Sequence, residues 1–168
     1  MDDALPTTNC WAVVLDTNVA LDWLLFNDGA MAALAGAIHS RSVHWVTCPR
    51  MRDEFERTLS YPSLLRWNPN CEHLLTSFDH ESMMLATPTP RATNPVCTDA
   101  DDQVFIDLAL AHGARWLVTR DRALLKLSRR ACTLGLRIIR PVDWSMAQAH
   151  SGRVTGAARV QQGRGTQP

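Results

Sequence analysis

The stretch that decides the fold is W-A-V-V-L-D-T-N, residues 11–18. Its first five residues form a continuous apolar run rich in β-branched side chains, and polar residues follow at once. A strand covered on both faces has this pattern, because neither face can be polar. The run therefore predicts a central strand of a parallel sheet, with Asp16 directly after its carboxyl end.

The rest of the chain alternates short apolar runs with amphipathic stretches. Further strands are predicted at 43–47, 116–119 and 136–139, and helices at 31–38, from Pro49 onward, at 71–84, 102–112 and 122–133, and from Pro141 onward. Prolines interrupt the pattern at 86–98, which we expect to be a loop. Alternating strands and helices predict an α/β fold of three layers, α/β/α, with a mainly parallel central sheet.

Length and composition bound the domain organisation. The chain has 168 residues, 46% of them hydrophobic, which is enough for one globular domain. We expect that domain at 11–150, preceded by an N-terminal extension at 1–10. Residues 151–168 hold 4 of the 8 glycines, three arginines and no acid, so we expect a disordered, basic, glycine-rich tail.

The charge is balanced overall but divided along the chain. There are 17 basic and 17 acidic residues, which excludes a generally basic nucleic-acid coat and an acidic disordered protein. Residues 1–114 carry 6 basic and 15 acidic residues, whereas 115–168 carry 11 and 2. If the two parts pack together, an acidic cluster meets a basic surface. That arrangement suits cations held beside a polyanion.

Cysteine usage and hydropathy indicate the compartment. The five cysteines include no C-x-x-C pair and have no histidine partner at zinc spacing, so we interpret them as reduced thiols. No apolar run approaches the roughly 20 residues that span a bilayer. We therefore expect a cytoplasmic protein with no membrane partner.

Three aspartates are predicted to converge at one edge of the sheet. Asp16 follows the first strand, Asp121 follows the 116–119 strand by two residues, and Asp102 begins the helix that leads into that strand. Taken singly, each is explained as a helix cap or a turn residue. Taken together, clustered carboxylates repel one another unless cations lie among them. Their convergence points to Mg²⁺ or Mn²⁺ bound by oxygen ligands.

A fourth carboxylate is expected from the helix that begins at Pro49. Asp53, Glu54 and Glu56 compete for this position. Helical geometry places Glu54 nearest the boundary of the core face and beside Thr58. The alternative is that these acids are ordinary solvated residues of a helix surface.

Four segments resemble the PIN-domain nucleases in their order and spacing. They are V-V-L-D-T-N-V at 13–19, E-F-E-R-T-L-S-Y-P at 54–62, D-A-D-D-Q-V-F-I-D-L-A at 99–109 and L-V-T-R-D-R-A-L-L at 117–125. The resemblance covers about residues 11–142 and is closest to the VapC-like toxin ribonucleases of toxin–antitoxin systems. D-T-N alone is a weak signal, but its combination with D-x6-A at 102–109 and T-x-D at 119–121 is specific.

The resemblance implies a metal-dependent endoribonuclease that leaves 5′-phosphate and 3′-hydroxyl ends. Its acidic residues, which would be both catalytic and metal-binding, fall on Asp16, Glu54, Asp102 and Asp121, with one or two ions of Mg²⁺ or Mn²⁺. Two ions about 3.5 to 4 Å apart would activate water and stabilise the leaving oxygen. The residues expected to orient these carboxylates or metal-bound waters are Thr17, Asn18, Asp99 and Thr119. Where this branch usually has Asp-Pro, the sequence has Asp99-Ala100, which leaves the role of Asp99 open.

Partners follow from the same resemblance. RNA is the expected substrate, and Arg120 and Arg122, which flank Asp121, are candidates for binding its phosphates. A cognate antitoxin protein is expected to restrain such a ribonuclease. Residues 23–26 (W-L-L-F) could form an exposed apolar strip for an antitoxin or a homodimer, although they could equally belong to the core.

Other enzyme classes fit the sequence less well. A HAD-type phosphatase would need a carboxylate where Asn18 stands, and a response-regulator receiver would need a phospho-acceptor near 47–49. The nucleophile elbow of serine hydrolases and the glycine-rich phosphate loops are absent. Two alternatives remain open: a non-catalytic PIN-like module that binds RNA or protein, and a metal-dependent DNA nuclease.

Overall fold

A five-stranded parallel sheet forms the centre of the molecule. The computed structural model describes residues 11–151. The strands run β1 Trp11–Leu15, β2 Val43–Thr47, β3 Ser82–Met84, β4 Trp116–Val118 and β5 Arg137–Ile139, in the spatial order β3-β2-β1-β4-β5. Every neighbouring pair is parallel, which confirms the predicted sheet.

Helices cover both faces of the sheet. They are α1 Thr17–Leu24, α2 Ala32–His39, α3 Pro49–Leu59, α4 Pro62–Leu65, α5 Cys71–Glu81, α6 Gln103–Ala111, α7 Arg122–Lys126, α8 Ser128–Cys132 and α9 Trp144–Ser151, with short 3₁₀ turns at Gly29–Met31 and Pro141–Asp143. This arrangement confirms the three-layer α/β/α fold.

Strand β1 divides the core into two halves. Val13 and Leu15 face a cluster that includes α1, α2, α5 and α9, whereas Ala12 and Val14 face a second cluster that includes α6, α7 and α8. Successive side chains of a strand point to opposite faces, so an all-apolar strand is buried on both. Four of the five β1 residues are buried, and the strand thereby fixes Asp16 at the edge of the sheet.

The structure corrects several predicted boundaries. The helix predicted at 71–84 ends at Glu81, because Ser82 to Met84 pair with β2 as the edge strand β3. The helix predicted at 122–133 is divided at Leu127 into α7 and α8. The chain leaves α6 and α8 through Gly113 and Gly135, which adopt positive φ of 63° and 86°, a conformation that favours glycine.

The apolar segment 23–26 is mostly core. Trp23, Leu24 and Leu25 are partly buried and pack against the cluster on the α1 side of the sheet. Of the two alternatives, the structure favours the core for these three residues. Trp23 packs against His39 of α2 and Trp45 of β2, with ring centroids 5.5 and 5.7 Å apart. Phe26 is the exception and is 37% exposed.

The predicted loop after β3 is confirmed and is tied to α6. Within 86–98 no helix or strand is found. Asp107 is buried, and its Oδ1 accepts hydrogen bonds from the amides of Asn94 and Gln103 at 2.7 and 3.0 Å. The backbone of Cys97 donates to Gln103 Oε1 at 2.8 Å. These bonds hold the segment that leads to Asp99 and Asp102.

Two predictions fall largely outside this structure. The N-terminal extension at 1–10 and the tail at 151–168 lie beyond the described residues, apart from Ser151, the last residue of α9. Within 11–151, none of the helices combines the length and the apolar character needed to cross a membrane.

Candidate active site

Asp16 lies where β1 ends and α1 begins. Its backbone amide donates to the carbonyl of Val118 at 3.1 Å, which ties it to β4. Its Oδ1 accepts from the Val19 amide at 2.7 Å and so caps α1. Its Oδ2 is buried and has no hydrogen-bond partner among the described residues. The aspartate is therefore a helix cap with one oxygen still free.

The environment of Asp16 disfavours its charge. Burial raises the pKa of Asp16 to about 6, and the carboxylate of Asp22 raises it further, although Thr119 and the amides of Val19 and Arg120 act in the opposite direction. A buried acceptor without a partner is costly. A bound cation is the group that would remove this cost while the carboxyl stays ionised.

Asp121 repeats the arrangement at the end of β4. It caps α7 through Oδ1, which accepts from the amides of Ala123 and Leu124 at 2.6 and 3.1 Å. Its backbone amide donates to Thr119 Oγ1 at 2.8 Å, so the buried Thr119 fixes the turn. These bonds leave Oδ2 of Asp121 available. Both aspartates can therefore cap a helix and bind a metal ion at the same time. In each of them Oδ1 caps the helix and Oδ2 is left for the ion.

Asp102 is not explained as a cap. It occupies the N-cap position of α6, but its side chain makes no capping hydrogen bond. Burial raises the pKa of Asp102 to about 7, and the carboxylates of four neighbours add to the effect. In decreasing order of effect, these neighbours are Asp121, Asp99, Asp16 and Glu54. The structure thus brings the four predicted carboxylates and Asp99 into one electrostatic cluster centred on Asp102.

Glu54 reaches the cluster from α3. Its Oε1 accepts a hydrogen bond of 2.8 Å from the Thr17 hydroxyl, which joins α3 to the start of α1. Of its two competitors, Glu56 is paired with Arg52 at 3.1 Å, and Asp53 lines only an adjoining depression, which Glu54 also lines. Helical geometry alone favoured Glu54, and the structure places it in the cleft.

The cluster lies beside a cleft of about 410 Å³. Five of the predicted site residues line it: Thr17, Asn18, Glu54, Asp99 and Asp102. Asp16 is only 3% exposed and lies beneath the surface, and neither it nor Asp121 and Thr119 belongs to the lining. Asp16 and Thr119 are therefore buried behind the lining residues, and Asp121 is half-buried.

The donor set fits a divalent cation, although the ligands are not gathered around one point. Within 11–151, no three His, Cys, Asp or Glu side chains stand together in a group that could hold a metal ion. The free Oδ2 of Asp16 and the repulsion felt by Asp102 are what a hard cation would relieve. Mg²⁺ usually keeps several waters, and water can bridge carboxylates that do not touch the ion.

The two arginines that flank Asp121 differ in their surroundings. Nε of Arg120 lies 2.6 Å from Asp22, and Nη2 lies 2.6 Å from Asp28. This pairing joins the end of β4 to α1 and the turn after it. Arg122 is exposed and forms no ion pair with the described residues. Phosphate binding thus remains a prediction that Arg122 fits better than Arg120.

Sequence reasoning missed several residues of the cleft. Its lining also includes Asp22, Phe26, Arg57, Tyr61 and Asp101. Arg57 stands three residues after Glu54 on α3, and helix positions i and i+3 are neighbours on the surface. That spacing was the available signal for Arg57. Phe26 was considered only as part of the apolar segment 23–26, and its place in the cleft depends on the packing of α1 against α3.

Comparison with known proteins identifies the family. A family model described as the PIN domain matches residues 12–123. A search of curated proteins found no significant match. The matched segment covers well over half of the chain and runs from β1 to the start of α7, so it includes every predicted carboxylate. The chain therefore belongs to the PIN domain family, whose members are generally metal-dependent nucleases.

Proposed function

We propose that this PIN domain is a divalent-metal-dependent endoribonuclease that hydrolyses phosphodiester bonds in RNA. The observation that carries the proposal is the position of Asp102, which lines the cleft, makes no capping hydrogen bond and is repelled by four other carboxylates. Asp102 is half-buried on the cleft wall, and its side chain makes no capping hydrogen bond that would offset the repulsion from its neighbours. A cluster that stays ionised at neutral pH instead needs a cation, which is the usual requirement for phosphodiester hydrolysis.

The carboxylates have distinct supports in this proposal. Asp16 and Asp121 would offer the oxygens that their helix caps leave free. Thr17 holds Glu54 on the cleft wall, and Thr119 fixes the turn that carries Asp121. Asp102 would complete the set. When bound, Mg²⁺ or Mn²⁺ supplies Lewis-acid activation of water and neutralises charge on the phosphate.

The biological setting is part of the proposal. The motif resemblance to VapC-like ribonucleases supports a role as the toxin of a toxin–antitoxin pair, acting in the cytoplasm and restrained by a cognate antitoxin protein. The cleft is the surface that such a partner would have to cover to prevent cleavage. Phe26 is the one residue of the segment 23–26 that both lines the cleft and is substantially exposed.

Cleavage of a single-stranded RNA with Mg²⁺ or Mn²⁺ tests the proposal. The intact protein should cleave, and EDTA should stop it. Asp16→Asn and Asp102→Asn should each abolish cleavage, whereas Asp79→Asn should leave it unchanged, because Asp79 pairs with Arg52 outside the cleft.

The same experiment separates RNA from DNA. A single-stranded DNA of equal sequence should be cleaved poorly or not at all. Activity that survives both substitutions would not originate at this site, and preferential cleavage of DNA would replace the ribonuclease proposal with the DNA nuclease alternative.

A further inference from the structure

We propose that Arg57 and Tyr61 bind a single-stranded segment of the substrate beside the carboxylates, Arg57 through a backbone phosphate and Tyr61 by stacking on a base. This inference rests on the proposed function, because it takes a nucleic acid as the occupant of the cleft. It assigns the substrate path to the α3–α4 side of the site. None of the arginines at 115–151 belongs to the cleft lining.

Arg57 is a cation that the fold leaves without a partner. Helix α3 carries three arginines, of which Arg52 pairs with Asp79 at 2.8 Å and Arg50 lies 3.5 Å from Asp101. Arg57 is exposed and forms no ion pair or hydrogen bond through its side chain with any residue in the described part of the chain. It lines both the main cleft and an adjoining depression of about 240 Å³.

The cleft lining is mostly acidic, so the position of Arg57 within it bears on what the cleft can bind. Arg57 is the only cation in the main lining, which otherwise includes Asp22, Glu54, Asp99, Asp101 and Asp102 among the described residues. An acidic wall repels a polyanion unless cations offset it. A guanidinium can bind a phosphate through two parallel hydrogen bonds. Arg57, next to Glu54 on α3, can therefore hold a phosphate close to the carboxylates that would act on its neighbour.

Aromatic rings continue the surface away from the carboxylates. Tyr61 is 45% exposed and lines the cleft together with Phe26, which is 37% exposed. Phe26 in turn packs against Trp67, with ring centroids 5.3 Å apart, and Trp67 is 55% exposed. Arg66 stands over the Trp67 ring at 5.8 Å. Exposed rings beside arginines extend from the cleft along α4.

This combination favours an unpaired strand over a duplex or a protein. Aromatic rings stack on bases whose faces are free, and positive groups follow the backbone, which is how proteins bind single strands. A duplex hides its base faces. A protein partner would use the apolar rings without needing the unpaired Arg57. The charge complementarity and the rings together therefore select a single strand.

Binding measured without catalysis tests the inference. Fluorescence anisotropy in EDTA gives the Kd of the full-length protein for a labelled single-stranded RNA about 12 nucleotides long. Arg57→Gln should weaken binding several-fold and reduce the slope of log K against log salt by about 0.7. Tyr61→Leu should weaken binding about fivefold or more, whereas Tyr61→Phe should bind nearly as well as the unmodified protein.

Controls separate this surface from general charge and from misfolding. Arg130→Gln removes an exposed arginine from α8, outside the cleft, and should leave Kd unchanged. Arg57→Lys keeps the charge and should restore most of the affinity. Melting curves for each variant should match that of the unmodified protein. With Mn²⁺ present, the two disruptive variants should raise KM for the RNA more than they lower kcat.

The outcomes distinguish this inference from the proposed function. Cleavage with Kd and KM unchanged in Arg57→Gln and Tyr61→Leu would overturn the inference and leave the ribonuclease intact. If RNA binding depends on both residues but no metal-dependent cleavage is found, the proposed nuclease activity is overturned. The proposed binding of a single strand by Arg57 and Tyr61 is then supported. An RNA duplex of the same sequence that binds as tightly as the single strand would overturn the stacking role of Tyr61. Absence of RNA binding in EDTA would overturn the inference, and absence of both binding and cleavage with Mn²⁺ present would overturn the ribonuclease as well.

Discussion

The hydroxyl of Thr17 donates a 2.8 Å hydrogen bond to Oε1 of Glu54, across 37 positions of the sequence. This bond joins the residue after Asp16 to the carboxylate that α3 contributes. Of the other two acids of α3, Glu56 is held by Arg52 and Asp53 lines only the adjoining depression, so Glu54 is the acid of α3 that lines the cleft. The start of α1 therefore orients two parts of the candidate site at once.

Loss of this bond should weaken the site without unfolding the protein. Thr17→Val removes the hydroxyl but keeps the shape of the side chain, so Glu54 loses its orientation. Groups that orient ligands typically affect metal affinity or activity about 10- to 100-fold. We expect the rate of RNA cleavage to fall by a factor in that range. The Mn²⁺ concentration needed for half-maximal activity should rise by a similar factor. Thr76→Val on α5 removes a hydroxyl bonded to the Glu72 carbonyl and should change neither measurement.

The stability of the metal-free protein should depend on pH through Asp16. Burial raises the pKa of Asp16 in the folded state to about 6, against 3.8 for a free aspartate. The folded state thus holds this proton more tightly than the unfolded state, so stability falls as pH rises from about 4 to 6. The shift corresponds to about 3 kcal/mol at most above that range.

Asp16→Asn isolates this effect. Asparagine caps a helix about as well as aspartate, so the bond to the Val19 amide can remain. By urea unfolding in EDTA, the variant should be more stable than the unmodified protein at pH 8, and the difference should shrink toward pH 4. A variant that is strongly destabilised at pH 8 would show that the charge of Asp16 serves the fold.

Divalent cations should stabilise the folded protein through the carboxylate cluster. Binding to the folded state alone adds about 2.7 kcal/mol at a hundredfold excess over Kd. Mg²⁺ or Mn²⁺ should therefore raise the melting temperature of the unmodified protein and of Asp79→Asn. Asp102→Asn should gain much less, because the carboxylate at the centre of the cluster is gone. Equal increases in all three proteins would place the binding elsewhere.

Arg120 and Arg122 should separate into a structural residue and a candidate for RNA binding. Arg120→Gln removes two ion pairs, with Asp22 and Asp28. Its side chain is 43% exposed, so the loss of stability should be about 1 kcal/mol. Arg122→Gln should leave stability unchanged and reduce the salt dependence of RNA binding. The opposite result is a smaller salt dependence of RNA binding for Arg120→Gln alone. It would show that Arg120, and not Arg122, contacts the RNA.

The sequence alone determined the layers of this protein and the identity of its acidic residues. An apolar strand followed by Asp16 requires burial on both faces, and this physical requirement can be detected in eight residues. The alternation of apolar runs and amphipathic stretches likewise placed Asp102 at a helix start and Asp121 after a strand. Such local patterns are visible because periodicity and turn chemistry depend on near neighbours.

Tertiary structure decided what local patterns do not contain. Strand β3 has only three residues and pairs with β2, so nothing in its own sequence separates it from the preceding helix. Local patterns also do not show which oxygen of Asp16 is left without a partner. The bond from Thr17 to Glu54 joins segments that are distant in sequence. The ion pairs of Arg120 with Asp22 and Asp28 do the same. So does the position of Phe26 and Tyr61 in one cleft with Arg57. The bond from Thr17 and the cleft lining depend on how α1 and α3 pack, whereas the ion pairs of Arg120 depend on how the end of β4 lies beside α1. Packing of this kind is a property of the whole chain.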